Sequence, residues 1–333
     1  MSGASEPGRS GAGAAAAEGV LTEPREDPLL AGLEEALSVL VTGASGFVGR
    51  HLLERLASRG HRVRAVCRGG APRDVPALPE VTWLAADLRD PDAVSGLAAE
   101  CDVVAHLAGL HRARDGESLR AIHVEGTRNL LDEAVSSGVE RFLLLSAQGV
   151  GAHDHEYFRT KMEAEREVRA ARVDAVVLRP SLVYGPGDRL LTGLSRWLRA
   201  LPLVPVPGGR MGAYRPVDVE DLTDALSQAV ERSDLLGRTF QLAGPDRLTL
   251  RELLEVVSDT LGVHRPMWNL PESMGPRTLA LARRLEAAVG LPADVWELLW
   301  RRRSLPREPD ERAFRTVFHI EPMPFRDAAE DYL

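Results

Sequence analysis

The chain has 333 residues, enough for one large α/β domain or two smaller ones. Its formal net charge of −8 gives no basis for nucleic-acid binding, and 44% hydrophobic with 27% charged residues is ordinary for a soluble globular protein. Two cysteines, Cys67 and Cys101, are too few for a disulfide framework. They are expected to pack in a core, in a reducing, cytoplasmic setting. No apolar run approaches the length needed to span a bilayer, and the first residues lack the basic-then-apolar pattern of a signal peptide.

Residues 1–30 are rich in Gly, Ala, Ser, Glu and Pro without a periodic apolar face, so a disordered tail is expected over 1–35. From Leu37 to Arg179 strands alternate with helices. Strands are expected at 37–42, 62–67, 81–85, 102–107, 141–146 and 174–179, and helices near 47–59, 91–99, 117–137 and 157–171. That alternation predicts an α/β fold: a doubly wound parallel sheet of the Rossmann type with helices on both faces.

The first strand runs into Val41-Thr-Gly-Ala-Ser-Gly-Phe-Val-Gly49, a glycine-rich turn that opens an amphipathic helix. A dinucleotide pyrophosphate sits at such a turn. Gly43 permits the tight bend, Gly46 lets the backbone approach the phosphates, and Gly49 allows close helix–strand packing. The amides and dipole at the helix N-terminus favour an anion.

The second strand ends in Val66-Cys67-Arg68, with no carboxylate to accept from a ribose 2′-hydroxyl. Arg68, assisted by Arg50, can pair with a 2′-phosphate, so NADP(H) is favoured over NAD(H). Asp87, after the third strand, can accept from an adenine amino group or simply form a turn. Asp90-Pro91 reads as a cap and first-turn proline. His106-Leu-Ala-Gly109 closes the fourth strand, where the small Ala108 and Gly109 let the backbone pass near the cofactor.

Ser146 ends the fifth strand, and Tyr157 opens the next helix four residues before Lys161, so Tyr157 and Lys161 share a helical face. A nearby ammonium favours the phenolate, which fits a phenol for proton transfer at neutral pH. A serine hydroxyl can hold the reacting oxygen. Lys161 can also bond the nicotinamide ribose. His153, Asp154 and His155 lie between Ser146 and Tyr157 and lack a further ligand at metal-site spacing, so no metal is expected.

Beyond Arg179 the pattern loosens. Tyr184-Gly-Pro-Gly-Asp188 reads as a loop whose tyrosine could cover the nicotinamide or pack as a core aromatic. A helix near 189–200, strands near 203–206, 214–217 and 239–243, a helix from Asp218, and a capping box at Thr249–Glu252 follow. Residues 36–245 are expected to form the dinucleotide-binding domain, and 246–333 a smaller, mostly helical part facing the substrate or a partner. The stretch Asp294-Val-Trp-Glu-Leu-Leu-Trp-Arg-Arg-Arg303 predicts an amphipathic helix with Trp296 and Trp300. Packing onto the domain is the favoured reading, over an edge resting on an anionic membrane.

Together, Thr42–Gly49, His106–Gly109, Val124-Glu-Gly-Thr-Arg-Asn-Leu-Leu131, Ser146, Tyr157 to Lys161, Leu178-Arg-Pro-Ser-Leu-Val-Tyr-Gly-Pro-Gly-Asp188 and Arg215-Pro-Val-Asp-Val-Glu-Asp-Leu222 resemble the extended and atypical short-chain dehydrogenases/reductases, of the NAD-dependent epimerase/dehydratase type. The chain is most similar to an atypical branch containing bacterial relatives of the nucleotide-binding accessory subunit of respiratory complex I. The resemblance implies that Gly43, Ser45, Gly46, Phe47, Val48 and Gly49 hold the pyrophosphate. It implies that Asp87 and Leu88 hold the adenine, that Ala108 and Gly109 line the adenosine side, and that Pro180 and Ser181 lie near the nicotinamide. Ser146, Tyr157 and Lys161 would be catalytic, with Tyr157 as acid/base at a hydroxyl or carbonyl carbon of a small-molecule substrate.

Two departures matter. His123 stands where extended members usually carry Asn, and only ten residues separate Ser146 from Tyr157. Both motivate the alternative of a non-catalytic NADPH-binding structural or assembly protein in a larger, respiratory-type complex. A homodimer is the other assembly expected.

Overall fold

The computed structural model describes residues 36–75, 77–112, 118–151, 155–207, 214–289, 293, 296, 297, 299 and 312–333. The expected tail, His153, Asp154 and most of 294–303, including Trp300, lie outside the described residues.

The chain runs β1 (Ser38–Thr42), α1 (Phe47–Ser58), β2 (Arg62–Cys67), β3 (Val81–Ala85), α2 (Pro91–Val94), β4 (Val103–His106), α3 (Gly126–Ser136), β5 (Arg141–Leu145), α4 (Glu156–Ala170) and β6 (Asp174–Pro180). It continues through β7 (Val183–Tyr184), α5 (Leu190–Ala200), β8 (Val204–Pro207), β9 (Val217–Asp218), α6 (Val219–Glu231), β10 (Thr239–Leu242), α7 (Leu250–Thr260), β11 (Met267–Leu270) and α8 (Gly275–Val289). Helices Arg312–Thr316 and Phe325–Tyr332 close the chain.

Seven strands form one sheet in the order β10-β6-β5-β4-β1-β2-β3, with every pairing parallel. The doubly wound fold expected from the alternation is the fold observed. Strand alternation explains the two layers. Val39 and Val41 face Leu52, Leu53 and Leu56 of α1 and Leu222 and Leu226 of α6. Leu40, Val104 and Phe142 face the other way, onto Leu130 and Leu131 of α3 and Val168 of α4. Strands covered on both faces read as continuous apolar runs, which is why β1 and β4 are so plain in sequence.

Asp90 accepts from the Asp92 amide as the expected cap, but α2 stops at Val94 instead of extending to 99. Gly96 at φ +81° and Glu100 at φ +59° break the helical path. The expected helix at 117–137 carries a wide π turn over Ala121–Glu125 before α3. The capping box at Thr249 and Glu252 is present.

A second core gathers Leu194 and Trp197 of α5, Val204 and Val206 of β8, Leu253 and Val257 of α7, and Phe325. The Tyr184 ring lies edge-on to Phe325 at 4.8 Å within it. Gly244 follows β10 where that strand passes the segment before β9. A β-carbon there would sit 1.7 Å from the Pro216 carbonyl oxygen. Gly244→Ala is therefore expected to cost at least about 2 kcal/mol, seen as a lowered urea midpoint at unchanged slope. An unaltered midpoint would show that the two segments separate without cost.

Candidate functional site

At β1 and β4 the direction of winding reverses, and in open parallel sheets ligands bind in the crevice beyond the strands' carboxyl ends at such a point. A cleft of about 430 Å³ opens there. It brings together the site residues expected from sequence, Arg50 excepted: Gly43, Ser45, Gly46, Phe47, Val48, Gly49, Arg68, Asp87, Leu88, Ala108, Gly109, Ser146, Tyr157, Lys161, Pro180 and Ser181.

The glycine turn is built by close approach. Gly43 has φ +72°, and a β-carbon on it would lie 2.7 Å from the Ala108 nitrogen. One on Gly49 would lie 2.3 Å from the Gly43 oxygen. Gly46 begins α1 without a side-chain cap, and the first turn carries no acidic residue. A backbone cradle at an uncapped helix N-terminus suits a pyrophosphate, so these residues fit the dinucleotide.

The adenosine end differs from expectation in one detail. Arg89 clamps the Asp87 carboxylate with bonds of 2.9 and 2.5 Å and holds its pKa at about 2. Asp87 keeps acceptor capacity toward an adenine, but its orientation is set by Arg89, which sequence reasoning missed. Arg50 bonds the Ser45 carbonyl and pairs with Asp74 at 2.7 Å. The Cys67 thiol borders the cleft and donates to the Gly70 carbonyl, so only Cys101 has the expected core role.

At the opposite end, α4 presents Tyr157, Lys161 and Glu165 at successive four-residue steps. The Lys161 ammonium donates to the Leu145 carbonyl at 3.0 Å. Burial lowers its pKa to about 8, against the opposing pull of Glu165. The Ser146 hydroxyl donates to the buried Glu165 carboxylate at 2.6 Å. Burial alone would raise the Glu165 pKa, yet hydrogen bonds from Arg179 and Ser146 outweigh it and hold the group below the usual range. A Tyr-x-x-x-Lys-x-x-x-Glu spacing could have revealed Glu165 from sequence.

His123 is committed on both nitrogens. Nε2 accepts from the Leu110 amide at 3.0 Å, so Nδ1 carries the proton and donates to the Thr160 hydroxyl at 2.8 Å. Its ring meets Tyr157 edge-on at 5.6 Å. Burial and the Lys161 charge push its pKa well down. It is a neutral brace behind the tyrosine and not a proton carrier. His106 is similar. Thr127 donates to the His123 carbonyl, so His106 Nε2 donates to Thr127 and Nδ1 accepts from Thr42 at 2.6 Å.

Tyr184 takes the core-packing alternative. It is fully buried away from the cleft lining, under Phe325 and Tyr332. Trp296 is also buried, edge-on to Trp197 at 5.4 Å, which places it in the domain and not at a membrane edge. Among the described residues no cluster of three or more His, Cys, Asp or Glu could hold a metal, and no helix is long and apolar enough to cross a membrane.

Burial, with a smaller push from Lys161, lowers the His106 pKa from an ordinary 6.5 to about 3. As pH falls below 6.5 the unfolded chain takes up a proton that the folded one refuses, so this histidine's contribution to stability drops by up to roughly 1.4 kcal/mol per pH unit. Burial raises Asp188 and Asp221 to about 6, which acts in the opposite sense below that pH. The clean readout is a difference. The stability advantage of the wild type over His106→Asn should shrink steadily between pH 7 and pH 5 in urea melts. A constant advantage would mean that the ring takes up its proton as readily in the fold as in the unfolded chain.

Three comparisons bear on this geometry. Residues 39–243 match the model of the NAD dependent epimerase/dehydratase family. The chain is 30% identical to the NADH dehydrogenase [ubiquinone] 1 alpha subcomplex subunit 9, mitochondrial, of Arabidopsis thaliana, over 66% of this chain and only 57% of that protein. It is 31% identical to the ceramide reductase of Caulobacter vibrioides, over 70% of this chain and 74% of that one. In structure it is similar to the UDP-glucose 4-epimerase of Thermus thermophilus in complex with NAD, with a TM-score of 0.68 and 22% identity over 89% of this chain and 97% of that one. The glycine cradle and all of the seven-stranded sheet but Ser38 fall within the matched stretch, and the chain belongs to the NAD dependent epimerase/dehydratase family.

Proposed function

We propose that the protein is an NAD(P)-dependent oxidoreductase or epimerase of the short-chain dehydrogenase/reductase type, acting at a hydroxyl or carbonyl carbon of a small-molecule substrate. The observation that carries this reading is the convergence of Ser146, Tyr157 and Lys161 in the same cleft as the glycine cradle. When bound, a nicotinamide dinucleotide supplies the hydride acceptor or donor. Gly43 to Gly49 hold its pyrophosphate, and Asp87, Leu88, Ala108 and Gly109 face its adenosine side. Tyr157 moves the proton at the reacting oxygen. Lys161, buried and cationic, favours the phenolate and reaches the nicotinamide ribose. Leu110, Ile122, Leu182 and Val183 exclude water from the reacting end.

Arg68 lines the cleft where β2 ends without a carboxylate, which supports NADP(H) over NAD(H). Free thiols at Cys67 and Cys101 support a cytoplasmic location. A second reading, a structural NADPH binder in a respiratory-type complex, is favoured by the likeness to the alpha subcomplex subunit 9 and by His123, locked where extended members usually carry Asn.

Purified protein with NADPH or NADP+ should turn over a member of a panel spanning ceramides, their keto forms and UDP-glucose, followed by nicotinamide absorbance or product analysis. Tyr157→Phe should lower kcat/KM by about 10²–10⁴-fold while leaving dinucleotide affinity within about two-fold. Unchanged turnover in that variant would remove Tyr157 from the chemistry.

A further inference from the structure

The amino end of the β8–β11 pair carries an exposed apolar tip. Strand alternation sends Val204 and Val206 of β8, and Met267 of β11, toward the second core. It turns Leu203 and Trp268 outward, where they are 45% and 56% exposed. The Val204 amide donates to the Pro266 carbonyl and Trp268 lies opposite Pro205, so both side chains share one face of the pair. Pro202 and Pro266 beside them are exposed too. The charge around this tip is one-sided. Residues 189–207 and 262–271 contain Arg189, Arg196, Arg199 and Arg265 and no Asp or Glu, in a chain of net charge −8. Arg196 and Arg199 are exposed on α5, which ends just before Leu203. Arg265 Nε donates to the Leu198 carbonyl at 3.3 Å and so brings the start of β11 against the end of α5. Two carboxylates border the region from α7, and both are paired. Glu255 meets Arg251 at 2.8 Å, and Asp259 lies 3.8 Å from both His264 and Arg326.

We propose that this edge docks the protein on membranes rich in anionic phospholipid, with Trp268 and Leu203 entering the headgroup region and Arg196, Arg199 and Arg265 meeting lipid phosphates. A tryptophan is at home at headgroup level, where one side is apolar and the other wet. Arginines keep their charge in that layer while their stems cover apolar surface. The rest of the chain is acidic and is repelled by an anionic surface, so the field turns this basic edge toward the bilayer. A second copy packed on the same edge would set arginines against arginines, which is unfavourable. A nucleic acid would match the arginines and leave Leu203 and the two prolines without an apolar partner. The contact is peripheral, and it does not involve Trp296, which is buried. It is independent of the catalytic reading and holds whether or not Tyr157 moves a proton.

The test is flotation of the full-length protein with two kinds of vesicle, phosphatidylcholine alone and phosphatidylcholine with about one-third phosphatidylglycerol. The protein should rise with the anionic vesicles, stay behind with the neutral ones, and lose most of its binding at about 0.5 M salt. Arg196→Gln and Arg199→Gln should each weaken partitioning by about five-fold. Leu203→Ala combined with Trp268→Ala should weaken it by at least about ten-fold. Both of those side chains are exposed, so the urea midpoint and NADPH affinity of the double variant should match the wild type and show that it folds. A blue shift in tryptophan emission on adding anionic vesicles should vanish in Trp268→Phe. No flotation with anionic vesicles, equal flotation with neutral ones, or undiminished binding by the double variant would each overturn the proposal. A wild-type dimer that Trp268→Ala dissociates would assign the edge to a second copy, and an acidic protein that binds there in place of vesicles would assign it to a protein partner. Either result overturns the membrane assignment.

Discussion

A fully buried carboxylate sets the geometry of the reacting end. Glu165 sits on α4, Arg179 on β6 and Ser146 just past β5, so one charge cluster ties a helix to the carboxyl ends of two neighbouring strands. Arg169, one helical turn on, closes the cluster from solvent. An isolated carboxylate cannot be buried ionised at this depth, because desolvation is too expensive. The helix is therefore held at the rotation and height where Arg179 and Ser146, both outside it, reach the carboxylate. Lys161 and Tyr157 lie one and two turns before Glu165 on the same face. Their placement over the cleft follows from that fixed point. The bond from Lys161 to the Leu145 carbonyl and the Thr160–His123 contact hold the same helix from two further sides.

The glycine cradle beside it is governed by the absence of side chains. Gly43 and Gly49 bring three backbone segments together at distances no β-carbon allows, and α1 begins with no cap. The stability withheld there becomes an anion site, since first-turn amides without side-chain partners suit a pyrophosphate. Between the two ends, His106 and His123 form a buried hydrogen-bonded column with Thr42, Thr127 and Thr160. Each ring has both nitrogens engaged. The column links the carboxyl end of β1 to the tyrosine helix without carrying a charge.

Much of this was legible in the sequence because it depends on local rules. Apolar runs gave the central strands, Asp90, Asp218 and Thr249 gave helix starts, and the glycine spacing gave the cradle. What sequence reasoning missed depends on partners distant in the chain or on exact helical rise. Arg89 beside Asp87 reads as a surface pair until the turn folds it into a clamp. Tyr184 stands in a glycine-rich loop suited to a ligand cover, yet Phe325, from the far end of the chain, claims it for a core. The helix expected over 91–99 stops at Val94, and the positive φ of Gly96 just beyond outweighs the apolar pattern. The sequence marks His123 only as a departure from the usual asparagine, and the fold shows both of its nitrogens spent.

The catalytic and structural readings share the cradle and part company over exchange. An oxidoreductase must exchange its dinucleotide in every cycle, an epimerase regenerates it in place while turning over substrate, and a structural element keeps it without turnover. The most direct measurement is the release rate of NADPH from the purified protein, by displacement with excess unlabelled nucleotide, with NADH run alongside. Release at about one per second or faster, with NADPH held more tightly than NADH, is expected for an oxidoreductase, and slow release together with turnover for an epimerase. Release over hours with no turnover would contradict the catalytic reading, and binding of neither nucleotide would contradict the cradle itself.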